Sequence, residues 1–457
     1  MTLGLIVSPA PPVAGCSNPP LERRKRLGAL GWTLIMVGIP MIGLPTCKAE
    51  PSADAFSAGG PALPDSPMSP PPAPPVGPST PPPAGEQVPI LPGEDIQAVV
   101  DDHPEGTLFL IRAGRHVGQS IRPKDGMSFV GEPGAILDGA GEKRYAFDGG
   151  DGPDDVSIRG LVIERYAPPP QDGAVMAKDT ERWVVENNEI RYNTADVLHK
   201  GCRLGGGCGG MGIKIGDGMV VRGNSLHHND EYGVGGNGDG VLIEGNEIAF
   251  NNYRGAVRVG FGAGGTKFVR THELVVRNNY VHDNQGNGIW MDIENVDALV
   301  EDNRVENNSG NGIMYEISYG AVIRNNYVAG NGFANPRWLY GAGIFVSSSS
   351  DVEIYGNRVE NNARGITAVI QNRGIGSLGR YEVRNLFVHD NDIAMDTGWT
   401  GLGEGVGDDS YYTDKNNRFE RNRYRIDSRS RAFMWQKQEL TLEEWQAYGH
   451  DDGQPGN

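Results

Sequence analysis

The middle of the chain repeats a short pattern of apolar and polar residues, of the form apolar-x-apolar-x-x-Asn-x-apolar. Residues 184–190 read VVENNEI, residues 275–281 read VVRNNYV and residues 322–328 read VIRNNYV. This alternation predicts short β-strands on both sides of an asparagine turn. Three of the asparagine spacings are 22, 24 and 23 residues, and the others are longer by roughly one inserted loop. The aligned asparagines are Asn188, Asn224, Asn246, Asn279, Asn303, Asn326, Asn357 and Asn391.

A repeat of this length is typical of one coil of a parallel β-helix, in which each coil buries its apolar face against the next. Leucine-rich repeats share the period, but their Leu-x-x-Leu-x-Leu runs are absent from the sequence. We therefore predict an all-β solenoid. The asparagines are interpreted as an internal ladder whose side-chain amides satisfy backbone groups of the turns, and not as catalytic residues.

The start of the repeat region resembles the N-terminal cap and first coils of the right-handed parallel β-helix superfamily. The similar segments are IQAVV at 96–100, IRAG at 111–114, IRPKDG at 121–126 and VGEPG at 130–134. That superfamily includes pectate lyases, polysaccharide epimerases and several glycoside hydrolases. The resemblance implies a right-handed parallel β-helix with short N- and C-terminal caps, and a protein that acts on carbohydrate.

Three later segments resemble a large bacterial group of secreted β-helix proteins. They read GGTKF at 264–268, GIWMD at 288–292 and GIMYEIS at 312–318. The resemblance as a whole covers about residues 93–450. It implies the fold and does not specify the reaction, because one fold carries many chemistries.

Composition shifts divide the chain into four predicted parts. Residues 1–47 combine four basic residues at 23–26 with an apolar run, which is typical of an export signal, a lipoprotein signal ending at Cys47 or a retained membrane anchor. Residues 48–92 are rich in Pro and are predicted to form a disordered stalk. Residues 93–440 form the predicted β-helix. Residues 441–457 form a C-terminal cap and tail, in which Thr441 and Glu444 have capping-box spacing.

Charge and cysteine content narrow the functional classes. The net charge of −17 argues against nucleic-acid binding, which needs a basic face, and requires local cations for any polyanionic substrate. Cys202 and Cys208 lie in a Gly-rich segment, where export to an oxidising compartment favours a small disulfide loop. We predict an exported monomer, extracellular or attached to the cell surface, whose partner is a polysaccharide.

Strand alternation predicts which side chains leave the core between the asparagine turns. Ile289, Met291 and Ile293 are apolar and share one parity, so Trp290 and Asp292 should point outward. By the same logic Ile313, Tyr315 and Ile317 point inward, which leaves Met314 and Glu316 outside, and Lys267 points outward one coil earlier. Aligning the glycines of these strands places Lys267 above Trp290 and Asp292 beside Glu316.

Two neighbouring carboxyl groups cannot both ionise cheaply, so one pKa is expected to rise, as in a glycoside hydrolase. The predicted catalytic residues are Asp292 and Glu316, with Lys267 as charge partner or as neutraliser of a uronate in β-elimination. Trp290 is expected to offer an exposed platform for a sugar ring. Inserted loops add the predicted substrate-binding residues Arg254, Arg258, Trp338 and Tyr340, with Lys214 as a weaker candidate.

The histidines near the turns, which include His227, His228, His282 and His389, are interpreted as structural. The sequence contains no metal-binding signature such as a paired-histidine spacing, so we predict no metal site formed by the protein alone. A calcium ion held jointly by carboxylates and a uronate is left open. The leading hypothesis is an extracellular polysaccharide-cleaving enzyme, with hydrolysis and β-elimination both open. The alternatives are a non-catalytic glycan-binding surface protein and a uronan C5-epimerase.

Overall fold

A computed structural model of the chain describes residues 87–194, 209–334, 336–427 and 429–452, except for the side chain of residue 261. All of them belong to one compact unit, Ala62–Asn457. The predicted export segment with Cys47, most of the predicted stalk, and the predicted disulfide partners Cys202 and Cys208 lie outside the described residues. Within the described part, none of the helices is both long and apolar enough to cross a membrane.

The described chain winds through three long sheets, and successive strands along the chain enter the sheets in turn. Within each sheet, strands from consecutive coils pair in parallel. The fold is therefore the predicted right-handed parallel β-helix. The first sheet contains Val88–Ile90, Leu108–Ile111, Ser128–Gly131, Ser157–Arg159, Val184–Glu186, Val220–Arg222, Leu242–Glu244, Val275–Arg277, Val296–Glu301, Tyr319–Arg324, Ser350–Tyr355, Phe387–His389 and Arg418–Glu420.

The second and third sheets each have twelve strands among the described residues, and the third carries the candidate site. The second sheet contains Gly114–Val117, Ala135–Asp138, Val162–Glu164, Glu189–Arg191, Ser225–His227, Glu247–Ala249, Tyr280–His282, Arg304–Glu306, Tyr327–Ala329, Arg358–Glu360, Asp392–Ala394 and Arg423–Arg425. The third contains Phe147–Asp148, Gly173–Met176, Met211–Ile215, Val234–Gly236, Thr266–Phe268, Ile289–Asp292, Ile313–Glu316, Ala342–Ser347, Arg364–Ile370, Thr400–Glu404, Phe433–Trp435 and Gln438–Leu440.

Short elements complete the ends and loops. Helix Ile96–Asp101 begins at Asp95, whose side chain accepts hydrogen bonds from two backbone amides of the first turn. Helix Leu442–Ala447 begins with the predicted capping box, in which Thr441 and Glu444 bond reciprocally. The remaining short elements are helix Val259–Gly262, the 3-10 helix Asp409–Tyr412 and the hairpin of Ile375–Gly376 with Gly379–Arg380.

The solenoid begins earlier than the predicted boundary at residue 93. Val88–Ile90 forms a strand that pairs in parallel with Leu108–Ile111. Ile90 is fully buried in the core, so this segment contributes apolar contacts although prolines precede and follow it. The predicted stalk therefore includes, at its C-terminal end, one strand of the β-helix.

The predicted asparagine ladder is present. Each side-chain amide donates to the carboxamide oxygen of the next coil, as from Asn279 to Asn303 and from Asn303 to Asn326, both at 3.0 Å. A second ladder lies five residues further along each coil and was not predicted. It runs through Asn193, Asn229, Asn251, Asn284, Asn308, Asn331 and Asn362.

Replacing one internal ladder residue should measurably destabilise the solenoid. Asn303 is fully buried, donates to Val276 O at 2.8 Å and accepts from the amide and side chain of Asn279. Asn303→Ala leaves these buried groups without partners, so we expect the free energy of unfolding to fall by about 3 kcal/mol. Urea unfolding measures the change, with Asn237→Ala on the exposed surface as the control. Equal midpoints for the two variants would contradict the ladder's role.

Candidate functional site

The candidate site lies on the outer face of the third sheet, where the predicted register is observed. Asp292 is the Cα partner of Glu316, and Trp290 is the partner of Met314. Phe268 pairs with Met291, which places Lys267 one coil before Trp290. The side chains of Ile289, Met291, Ile313 and Tyr315 point into the core, as predicted from their parity. The acidic pair and the lysine therefore share one stripe outside the core.

Lys267 contacts two side chains of the neighbouring coil. Its Nζ lies 2.9 Å from Oδ2 of Asp292 and 3.9 Å from the centre of the Trp290 ring. The other carboxylate oxygen of Asp292, Oδ1, is buried and has no hydrogen-bond partner among the described residues. A buried acceptor without a partner is costly, and such atoms are typical of places where a ligand or water binds.

Glu316 forms an ion pair with Arg373, which the sequence did not indicate as a site residue. Burial raises the pKa of Glu316, and the negative charge of Asp292 raises it further, while Arg373 and Lys267 act in the opposite direction. A raised pKa means that more of this carboxyl group is protonated near neutral pH than an exposed glutamate would be. The two adjacent carboxyl groups are therefore in different electrostatic environments.

Arg373 reaches the site from a loop that is anchored to the solenoid at two points. The amide of Ser377 donates to Oε1 of Glu294 at 2.6 Å, and the hydroxyl of Tyr319 donates to the carbonyl of Gly379 at 2.8 Å. The side chains of Asp292 and Glu316 are each only 9 % exposed. The Arg373 loop thus brings a cation to a carboxyl pair that is largely shielded from solvent.

The prediction that Trp290 offers an exposed sugar platform is wrong. Trp290 does leave the core, but only 3 % of its surface is exposed because it belongs to a separate apolar cluster with Met314, Leu339 and Phe345. Leu339 comes from the inserted loop that follows the Glu316 coil. The indole Nε1 is buried without a hydrogen-bond partner in the described part of the chain.

The prediction that Ile293 and Ile317 point into the core is also wrong. Both residues have positive φ, 60° and 40°, at the corner that follows their strands. This corner interrupts the strand alternation. The two side chains pack instead with Tyr319 and Tyr381, in a cluster separate from the core.

The structure pairs Arg254 with a buried carboxylate and leaves Arg258 exposed at the surface. The Arg254 guanidinium is paired with the buried carboxylate of Asp230, with Nε 2.8 Å from Oδ1. This pairing makes Arg254 a structural residue of its loop rather than a wall of the site. Arg258 is exposed and directly precedes helix Val259–Gly262.

Tyr340 joins the site, and Trp338 lies further along the same stripe. Tyr340 donates to Oε1 of Gln371 at 3.1 Å, and its pKa is raised by burial and by the charge of Glu316. Trp338 is exposed and lies against Gly403, where a Cβ would be 2.5 Å from the ring. Gly403 is three strands after Glu316 in register, about 14 Å along the stripe.

Lys214 lies two strands before Lys267 in the third sheet. Gly235 lies between the two lysines and pairs with both. Burial lowers the pKa of Lys214. The sequence interpretation missed Glu231 and Tyr232, which lie just before strand Val234–Gly236, the strand that contains Gly235. Burial raises the pKa of Glu231 to about 8, and burial also raises the pKa of Tyr232, with added effects of Glu231 and Asp292.

Tyr232 and Lys267 share one wall of the site. A Cβ built on Gly262 would lie 2.2 Å from the hydroxyl of Tyr232 and 3.8 Å from Nζ of Lys267. The absence of a side chain at Gly262 therefore lets the short helix close over both groups. The turn sequence Asp-Glu-Tyr-Gly at 230–233 was the available signal for this acidic and phenolic pair.

Three of the histidines near the turns, His227, His282 and His389, contact acidic neighbours away from the candidate site. His282 lies 2.7 Å from Oδ2 of Asp283, and His389 lies 2.7 Å from Oδ2 of Asp390. These contacts agree with the structural interpretation. In the described ranges, no three His, Cys, Asp or Glu side chains come together as a possible metal site. The calcium prediction is not tested by this result, because a uronate would supply part of the coordination.

The parallel sheets and internal ladders define the protein as a right-handed parallel β-helix that carries a charged cluster on one outer face. A family model described as "Right handed beta helix region" matches residues 172–359. No curated protein sequence matches the chain.

Solved structures with this fold are similar to the chain at low sequence identity. The A-module of the Azotobacter vinelandii mannuronan C-5 epimerase AlgE4 is 15 % identical with a TM-score of 0.50, over 72 % of this chain and 90 % of the module. The AlgE6 A-module from the same organism is 16 % identical with a TM-score of 0.47, over 74 % and 91 %. At this identity the likeness concerns the fold alone.

Proposed function

We propose that the protein is an exported enzyme that cleaves a polysaccharide at the cluster of Lys267, Asp292, Glu316 and Arg373. The observation that carries the proposal is the pair of carboxyl groups in register on adjacent coils, each bound to its own cation. An ion pair of this kind is expensive to bury, and here it lies outside the core beside polar atoms that have no hydrogen-bond partner among the described residues. Perturbed clusters of this type are enriched at functional sites.

Hydrolysis is the reaction that the carboxyl pair supports best. When Glu316 carries the proton that its raised pKa favours, it donates this proton to the glycosidic oxygen as the bond from that oxygen to the anomeric carbon breaks. Asp292, ion-paired with Lys267, acts as the carboxylate that attacks the anomeric carbon or removes a proton from the attacking water. One water is consumed per cut, and its hydroxyl group ends on the anomeric carbon.

β-Elimination is the second candidate, and the cations favour it. Lys267 and Arg373 place two positive groups in a chain whose net charge is −17, where they can neutralise a uronate carboxylate. A base at the site then removes the C5 proton, the bond from C4 to the glycosidic oxygen breaks, a double bond forms between C4 and C5, and an acid at the site gives the departing oxygen a proton. Returning the proton to the opposite face of C5 instead gives epimerisation, the reaction named for the AlgE4 module.

The non-catalytic alternative receives less support. A glycan-binding surface protein was expected to use Trp290 and Trp338 as platforms for sugar rings. Trp290 is buried, so only Trp338 is available for that role.

The test is to incubate the full chain with neutral and acidic polysaccharides and to analyse the products by mass and ultraviolet absorbance. Hydrolysis adds one water per cut, elimination adds none and gives an absorbing unsaturated uronate, and epimerisation changes the sugar configuration without shortening the chain. Parallel reactions with calcium and with a chelator test the calcium prediction. Binding without any chemical change in the bound polymers would contradict the proposed enzyme and support the glycan-binding alternative.

A further inference from the structure

One turn position on the surface of the β-helix is left-handed on many coils. It directly follows nine of the twelve second-sheet strands among the described residues, where its residue has positive φ. On later coils the position is held by Asp283, Asn307 and Asn361, with φ between 52° and 55°. Asn and Asp are the side chains that adopt this conformation most readily apart from glycine. The residue types on these coils are therefore explained by the backbone.

Four earlier coils carry other side chains there: one has Arg165, and the next three each have a ring. The residues with rings are Tyr192, His228 and Phe250, with φ of 54°, 56° and 53°. The strands that precede them are paired in register, so the three rings belong to consecutive coils. Histidine is among the residues that adopt this conformation more often, but tyrosine and phenylalanine are unfavourable in it, so the turn does not explain Tyr192 and Phe250.

The three rings form a continuous aromatic ladder. The His228 ring centre is 5.1 Å from that of Tyr192 and 5.2 Å from that of Phe250. Tyr192 is 40 % exposed and Phe250 is 42 % exposed, so the two ends of the ladder face solvent. Because the rings face one another along the ladder, solvent contacts their edges and the outer parts of the Tyr192 and Phe250 rings.

Neighbouring side chains hold the ladder in position. Nδ1 of His228 lies 2.8 Å from Nδ1 of His227, whose Nε2 lies 3.2 Å from Oε1 of Glu189. The ring of Tyr253 meets His228 edge-on at 5.3 Å. The surface is thus ordered before any ligand binds, which lowers the entropy lost on binding.

We propose that the aromatic ladder of Tyr192, His228 and Phe250 is a second glycan-binding site, which holds a polysaccharide chain upstream of the charged cluster. The exposed parts of the Tyr192 and Phe250 rings can pack on C–H groups of a sugar ring, and the phenol and imidazole groups beside them can bond to hydroxyls. The ladder lies on the coils that end in strands Met211–Ile215, Val234–Gly236 and Thr266–Phe268, and the last of these strands carries Lys267. The ligand class rests on the proposed function, whereas binding at the ladder does not require turnover at the cluster.

The size of the surface favours a glycan over a protein partner. The exposed parts of Tyr192 and Phe250 together amount to roughly 200 Å². A stable protein interface buries about 800 Å² on each partner, which is several times larger.

The test uses substitutions that the fold already accepts at this position. In the full chain, Tyr192→Asn and Phe250→Asn together copy the asparagines of later coils and keep the left-handed backbone. Native electrophoresis in gels containing alginate, polygalacturonate or xylan measures binding to each polymer. We expect the unaltered chain to be retarded by at least one polymer, and the double variant to bind that polymer at least about tenfold more weakly.

Two further variants separate this proposal from the proposed function. Tyr448→Asn removes an equally exposed aromatic ring at the C-terminal cap and should leave binding unchanged. Asp292→Asn alters the charged cluster and should keep its retardation in the gel even where it abolishes turnover. Equal retardation of the double variant and the unaltered chain, or no retardation of the unaltered chain by any of the three polymers, would overturn the ladder site. Turnover without ladder binding would leave the proposed function standing alone.

Discussion

Glu316→Gln is expected to lower the turnover of the cleaved polysaccharide by about 10³-fold. Glutamine retains the shape of the side chain but cannot donate a proton to the leaving oxygen, and general acid catalysis contributes about 10²- to 10⁴-fold. Asp292→Asn should cause a loss of similar size because a carboxamide neither attacks the anomeric carbon nor activates water. Initial rates of reducing-end release on the polymer identified by product analysis measure both effects.

A matched control separates the loss of the proton donor from the loss of one negative charge. Glu439→Gln makes the same replacement at an exposed position on strand Gln438–Leu440 and should leave the rate unchanged. Thermal unfolding of all three variants shows whether the fold is retained. Full activity of both Glu316→Gln and Asp292→Asn would place the reaction elsewhere on the protein.

Lys267→Met is expected to reduce the free energy of unfolding by about 3 kcal/mol at neutral pH. The substitution leaves the carboxylate of Asp292 buried without its cation, and Oδ1 already has no partner among the described residues. Breaking a buried ion pair from one side costs about 3–5 kcal/mol because the remaining charge is not compensated. The partial exposure of Lys267, at 16 %, places the expectation at the lower end of that range.

The double variant Lys267→Met with Asp292→Asn should recover most of this loss, because the buried charge is removed together with its partner. Urea unfolding of Lys267→Met, Asp292→Asn and the double variant gives the coupling free energy between the two side chains. Lys178→Met is the control: Lys178 pairs with Asp179 at 3.9 Å on the exposed surface, where an ion pair contributes at most about 1 kcal/mol. Equal losses in the single and double variants would show that the ion pair is not what stabilises this site.

The repeat pattern was sufficient to predict the fold and the register of the site. Asparagines at coil-length spacing identify an internal ladder, and the glycines that begin the third-sheet strands align Asp292 with Glu316. The second ladder was equally readable, because its asparagines follow the first set at a constant distance of five residues. The repeat predicted side-chain positions correctly where the interacting residues lie one coil apart.

Within strands Ile289–Asp292 and Ile313–Glu316, the alternation of apolar and polar residues by itself determined which side chains leave the core, because a strand has only two faces. Only the tertiary structure decided what lies over the outer face. Leu339 packs on Trp290 in the outer apolar cluster, and Arg373 reaches Glu316 from a loop 57 residues away. Asp230 accepts a hydrogen bond from the guanidinium of Arg254. These contacts join loops of irregular length to the solenoid, and no periodicity along the chain specifies where such loops pack.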